Sequence, residues 1–178
     1  LDPAVVVGGK GQSLGGSNAR LGSGEFLVAE ADESDGSFLK LSPAIEVITN
    51  IDLEHLDYYR DLEHIRSVFG AFVERLPFYG VAVLCVESPA VREILQEVNC
   101  PVTTYGFGQD AQVRAVDVRA AGGQMQFTVQ RANGIRLPDM PVTLNLAGKH
   151  NVLNALAAIA AAWHAGVPPQ QACKALAR

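Results

Sequence analysis

The chain has 178 residues, 48% of them hydrophobic and 19% charged, and carries a formal net charge of -5. That length and composition suit one folded domain with a core of its own and exclude a disordered segment. The acidic balance argues against a nucleic-acid surface, and no apolar stretch is long enough to span a bilayer.

Val5 to Val7 is a short β-branched run that ends in Gly8-Gly9. From Lys10 to Gly24 the chain is rich in glycine and serine and reads as loop. Within it, Gly8-Gly9-Lys10-Gly11 lacks the Gly-x-x-x-x-Gly-Lys spacing of a phosphate loop. Phe26 to Ala29 reads as a strand, Ser34 to Leu41 as a short helix closed by Pro43, and Ala44 to Ile51 as a second strand. Asp61 is expected to cap a helix whose apolar face holds Leu62, Ile65, Phe69, Phe72, Val73 and Leu76, ended by Pro77. Val81 to Val86 is an apolar strand. Ser88-Pro89 opens a helix through about Val98, and Val102 to Tyr105 is the next strand. Alternation of strand and helix predicts βαβ units and a parallel sheet.

The pattern changes after Gly108. Val113–Val118, Met125–Gln130 and Val142–Leu146 alternate apolar and polar residues. Gly122-Gly123 and Asn133-Gly134 between them are hairpin signals. Gly148 then introduces a helix that Gly166 ends, and Pro169 to Ala177 starts another. The expected fold is α/β: one domain built on a mostly parallel sheet flanked by helices, with a small antiparallel sheet appended. The absence of an initial methionine, and a last residue inside a helical pattern, suggest a piece of a longer protein. Cys85, Cys100 and Cys173 are scattered and odd in number, as in reduced cytosolic proteins, and read as small buried hydrophobes.

Polar chemistry concentrates in two stretches, AEADESDGSF (Ala29 to Phe38) and TNIDLEHLDYY (Thr49 to Tyr59). Each follows an apolar run, so two neighbouring strands are expected to carry Glu30, Asp32, Glu33, Asp35, Asp52, Glu54, His55 and Asp57 to one crevice. Crowded carboxylates repel and call for a cation, and oxygen ligands with one imidazole suit Mg2+. Glu30 and His55 are the candidate ligands. A strand-end acid facing solvent and a surface histidine are the plainer readings of the same residues. His64 and His164 fall on helices and read as structural. Lys149, His150, Asn151 and Asn154 gather at a helix start, where anions are favoured. Capping accounts for Asn151, but poorly for Asn154 in an Ala/Leu helix. No Ser-His-Asp or Cys-His arrangement is legible.

Taken together, EADESDGSFLKL, TNIDLEHLDYY, LPFYG, TTYGF and GKHNVLNALAA resemble the central domain of the Mur ligases over nearly the whole chain. The likeness is greatest to the branch that adds L-alanine. The resemblance implies a P-loop-type α/β domain and a cytoplasmic step of peptidoglycan synthesis. ATP would activate the lactyl carboxyl of UDP-N-acetylmuramate as an acyl phosphate, which the amine of L-alanine attacks. By position, Glu30 and His55 resemble the family's magnesium ligands. His150, Asn151 and Asn154 resemble its adenine and ribose contacts, and Asn50 is a candidate to face muramate or phosphate. The family's P-loop and N-terminal UDP-binding domain would lie before Leu1, and its C-terminal domain after Arg178. A modified lysine used by several sister ligases has no counterpart, since no lysine lies between Lys40 and Lys149. Another Mur or folylpolyglutamate-type amide ligase, and a metal- or nucleotide-binding module without a P-loop, are the competing readings.

Overall fold

The computed structural model describes residues 1–10, 14–133, 135–136 and 138–177, with the side chains of 133, 135 and 136 left aside. The chain divides into two compact units, Leu1–Leu41 and the remainder from Ser42.

The first unit is a three-stranded sheet. β1 (Ala4–Val6) lies between β2 (Ala19–Arg20), antiparallel, and β3 (Leu27–Ala29), parallel. β2 falls within the stretch read as loop; a two-residue strand amid glycine and serine leaves no periodicity to find. Asp2 ties the unit together, accepting from the Arg20 guanidinium at 2.8 Å and from the Ser23 backbone N–H at 3.0 Å. Gly24 is required there, because a Cβ on it would fall 1.9 Å from the Leu1 carbonyl oxygen. The helix expected at Ser34–Leu41 is a single 3-10 turn, Ser37–Lys40.

The second unit holds the larger sheet. Its spatial order is β10 (Met140–Leu144), β8 (Gln124–Asn133), β7 (Val113–Ala121), β6 (Val102–Gly106), β5 (Val81–Cys85) and β4 (Ile45–Ile48), with β9 (Ile135–Arg136) paired to β8. β4, β5 and β6 are parallel. β7 joins β6 in parallel and turns back antiparallel into β8. The antiparallel strands therefore extend the parallel sheet edge-on rather than forming a sheet apart. Of the second hairpin signal, Gly134 lies outside the described residues; its flanks pair antiparallel.

Each face of this sheet has its own core. All of β5 is buried, as a central parallel strand must be. Ala82 and Leu84 face Ile48, Val73, Val91 and Ile94, on the side of α1 (Leu62–Val73) and α2 (Pro89–Leu95). Val83 and Cys85 face the other side, with Phe127, Val129, Leu156 and Ile159, under α3 (Lys149–His164) and α4 (Pro169–Leu176). Burying a side chain such as Leu156 or Ile159 contributes about 1.5–3 kcal/mol.

The helix ends follow their signals with one exception. The Asp61 carboxylate accepts from the His64 N–H at 2.8 Å, and α1 stops short of Pro77. Gly166, at φ 79, closes α3 with its N–H on the Trp163 carbonyl, while the Val167 N–H reaches that of Ala162. Ser88 stands at the expected cap of α2, but its hydroxyl makes no cap bond and is buried without a partner among the described residues. Among the described residues no helix is long and apolar enough to cross a membrane.

The two acid-bearing strands are expected as neighbours. Within the first unit β3 is hydrogen-bonded to β1, and within the second β4 is hydrogen-bonded to β5.

Candidate functional site

In the first unit, the β1–β3 ladder continues one residue past β3, with the Glu30 N–H donating to the Val6 carbonyl at 2.8 Å. That register delivers the Glu30 side chain to the turn after β1, where its Oε2 accepts the Gly8 N–H at 2.6 Å. A Cβ on Gly8 would lie 3.4 Å from that oxygen, at ordinary van der Waals contact. The Gly8 N–H thus aims an exposed carboxylate. The paired glycines after the β-branched run were the available signal for this contact; read as loop alone, they hide it.

The neighbouring acids act locally. Asp32 accepts from the Ser34 N–H at 2.9 Å, and Asp35 from the Ser37 N–H at 2.8 Å. Bonds from the Ser37 hydroxyl and backbone N–H hold the Asp35 carboxyl below its ordinary range. Part of the acid density that suggested a cation therefore shapes two Asx turns.

In the second unit, the chain after β4 carries the other candidates. The Asn50 amide donates to Asp52 at 2.5 Å, which fixes the side chain proposed to face substrate. His55 is half-buried and left-handed, with φ 53. Its carbonyl accepts the N–H groups of both Tyr58 and Tyr59 at 2.9 Å. His64 and His164 are structural as expected: the first accepts the Arg60 N–H at 3.4 Å, and the second shares a 2.8 Å bond with the Thr103 hydroxyl.

At the start of α3, Gly148 takes φ 99 and the His150 ring folds over it, so that a Cβ there would lie 2.6 Å from Cε1. The Asn151 amide donates to the Ala147 carbonyl at 2.8 Å rather than capping a helix N–H, and Gly148 stands at the N-cap without a side-chain bond. Asn154 is exposed, and its amide reaches the Asn151 side-chain oxygen at 3.4 Å. The two amides thus share one face beside the helix N-terminus, with His150 adjacent.

A family model, the Mur ligase middle domain, matches residues 17–162. The chain belongs to the Mur ligase family. It is 56% identical over 178 residues to UDP-N-acetylmuramate–L-alanine ligase of Variovorax paradoxus, covering 99% of this chain and 36% of that protein. The ligase of the same name from an Acidovorax strain is 58% identical, with 99% of this chain and 37% of that protein covered. The Mur ligase middle domain described here thus spans little more than a third of the curated relatives it matches. Among solved structures, it is similar to UDP-N-acetylmuramate–alanine ligase MurC from Thermotoga maritima (TM-score 0.80, 29% identity, 98% of this chain and 38% of that one). It is also similar to a UDP-N-acetylmuramate:L-alanyl-γ-D-glutamyl-meso-diaminopimelate ligase from Neisseria meningitidis (TM-score 0.84, 30% identity, 99% and 57%).

Proposed function

We propose that this chain is the ATP-binding middle part of a longer enzyme that joins UDP-N-acetylmuramate to L-alanine, a cytoplasmic step of peptidoglycan synthesis. The observation that carries the reading is identity of 56–58% across 99% of the chain to ligases of that name. In the complete protein an N-terminal UDP-binding domain and the P-loop precede this segment, and a C-terminal domain follows.

In this reaction an oxygen of the lactyl carboxylate attacks the γ-phosphorus of ATP and ADP leaves. The amine of L-alanine then attacks the acyl carbon, and phosphate departs with that oxygen. The amine gives up a proton as the amide forms. Phosphoryl transfer needs position and charge neutralisation more than covalent help from the protein. Glu30 and His55 would each offer Mg2+ a ligand: an exposed carboxylate oxygen and a half-buried imidazole nitrogen are donors that suit that ion. The ion, when bound, neutralises phosphate charge. Gly8 fixes the Glu30 carboxylate through its N–H, and the turn at His55 fixes the imidazole's backbone. His150, Asn151 and Asn154 present a ring and two amides to adenine and ribose at the start of α3. Asn50, braced by Asp52, faces the muramate or phosphate.

The test uses the full-length protein with ATP and Mg2+. Phosphate release should require both UDP-N-acetylmuramate and L-alanine, and yield their amide by mass spectrometry. Release that needs a UDP-muramoyl peptide or a folate instead would assign the protein to another branch of amide ligases.

A further inference from the structure

The segment from Thr49 to Asp61 is without strand or helix, yet it carries His55. A left-handed histidine costs about 1–2 kcal/mol relative to ordinary backbone, so the surroundings must hold it there. Leu53, Leu56 and Tyr58 are 52%, 64% and 46% exposed, although the Tyr58 N–H also donates to the His55 carbonyl. Two residues are buried, Ile51 at 4% and Tyr59 at 1%, and they stand four positions before and four after His55. Both belong to the core beneath β4, with Ile48 and Ile65. The Tyr59 ring meets Tyr58 edge-on at 4.9 Å and His64 at 5.6 Å. His64 is in turn fixed by the Asp61 cap of α1. From this anchored position the Tyr59 N–H donates to the His55 carbonyl at 2.9 Å.

We propose that Tyr59 is a positioning residue: its buried ring and backbone N–H hold His55 in the conformation that presents the imidazole to a divalent cation. The inference rests on the reading of His55 as a metal ligand. Groups that orient a ligand typically change metal affinity 10–100-fold when lost. A tyrosine that only filled the core would lower stability and leave that affinity alone.

The experiment titrates the full-length protein with Mn2+ alone, read by electron paramagnetic resonance, in the parent, Tyr59→Leu, Tyr59→Phe and His55→Ala. Tyr59→Leu should weaken Mn2+ binding about tenfold or more. Tyr59→Phe keeps the ring and the N–H and should lose less than Tyr59→Leu. Turnover of Tyr59→Leu should recover at saturating Mg2+, and that of His55→Ala should not. If Tyr59→Leu does not fold, Tyr59→Met carries the same comparison. Parent-like Mn2+ affinity in the folded variant, or an equal loss in Tyr59→Phe, overturns the proposal. Weakened binding in His55→Ala beside parent-like Tyr59→Leu sinks the positioning role alone. Parent-like binding in His55→Ala sinks the metal reading and the inference together.

Discussion

Single residues separate chemistry from architecture most sharply at His55, Asn154 and Glu46. In the full-length enzyme His55→Ala should lower turnover strongly and raise the Mg2+ requirement, because an imidazole ligand is lost. Unchanged turnover at limiting Mg2+ contradicts that role. Asn154→Ala should raise the KM for ATP more than that for UDP-N-acetylmuramate; an ATP value at parent level makes Asn154 a helix-surface residue only. Glu46 makes a different prediction. It sits on β4, 3% exposed, with neither oxygen partnered among the described residues, and burial lifts its pKa from an ordinary 4.5 to about 8. The folded protein then keeps a proton that the unfolded chain has released, so stability falls as pH rises between those values. The urea midpoint should therefore drop more between pH 6 and pH 9 in the parent than in Glu46→Gln, by an amount worth roughly 2–3 kcal/mol. Equal drops would mean that Glu46 finds a partner in the full-length protein. Sequence alone marked His55 and Asn154 through their unusual settings. It could not mark Glu46, because alternation along a four-residue strand does not say which face is closed.

At the scale of elements, the entry to α3 joins helix geometry to the proposed adenine contacts. Gly148→Ala meets a backbone at φ 99 and the His150 ring at 2.6 Å. It should cost about 1–2 kcal/mol in stability and raise the KM for ATP, measured by urea midpoint and steady-state kinetics. A neutral substitution would show that the loop before α3 adapts freely. Elements with strong local signals were legible. Asp61 and Pro77 bracket α1, Gly148 and Gly166 bracket α3, and continuous apolar residues mark β5. Elements that depend on a distant partner were not. β2 exists only because β1 is there to pair with it, and the Gly8–Glu30 bond only because β1 and β3 run in parallel.

For the whole molecule, the sequence predicted the class of fold and one unpaired edge position, but not that β3 and β4 both end their sheets among the described residues. β3 exposes Leu27 and Val28 at 64% and 53%, and β4 exposes Val47 at 40%. The strands are short, three and four residues, but exposed apolar side chains on an edge are normally paired or covered. On the function proposed here, the strand leading into the upstream P-loop supplies an edge partner. The 178-residue chain alone should then fold but neither hydrolyse ATP nor form the amide. Calorimetry should find nucleotide binding near millimolar, about 4 kcal/mol, since the amides and lysine that grip the phosphates lie outside it. Micromolar binding would move the phosphate site to Gly8–Lys10. The most direct test of the account labels both lactyl carboxylate oxygens of UDP-N-acetylmuramate with oxygen-18 and follows turnover by the full-length protein with ATP and L-alanine. One labelled oxygen should appear in inorganic phosphate and the other in the amide. Unlabelled phosphate would contradict an acyl phosphate, and with it the reaction assigned to this chain.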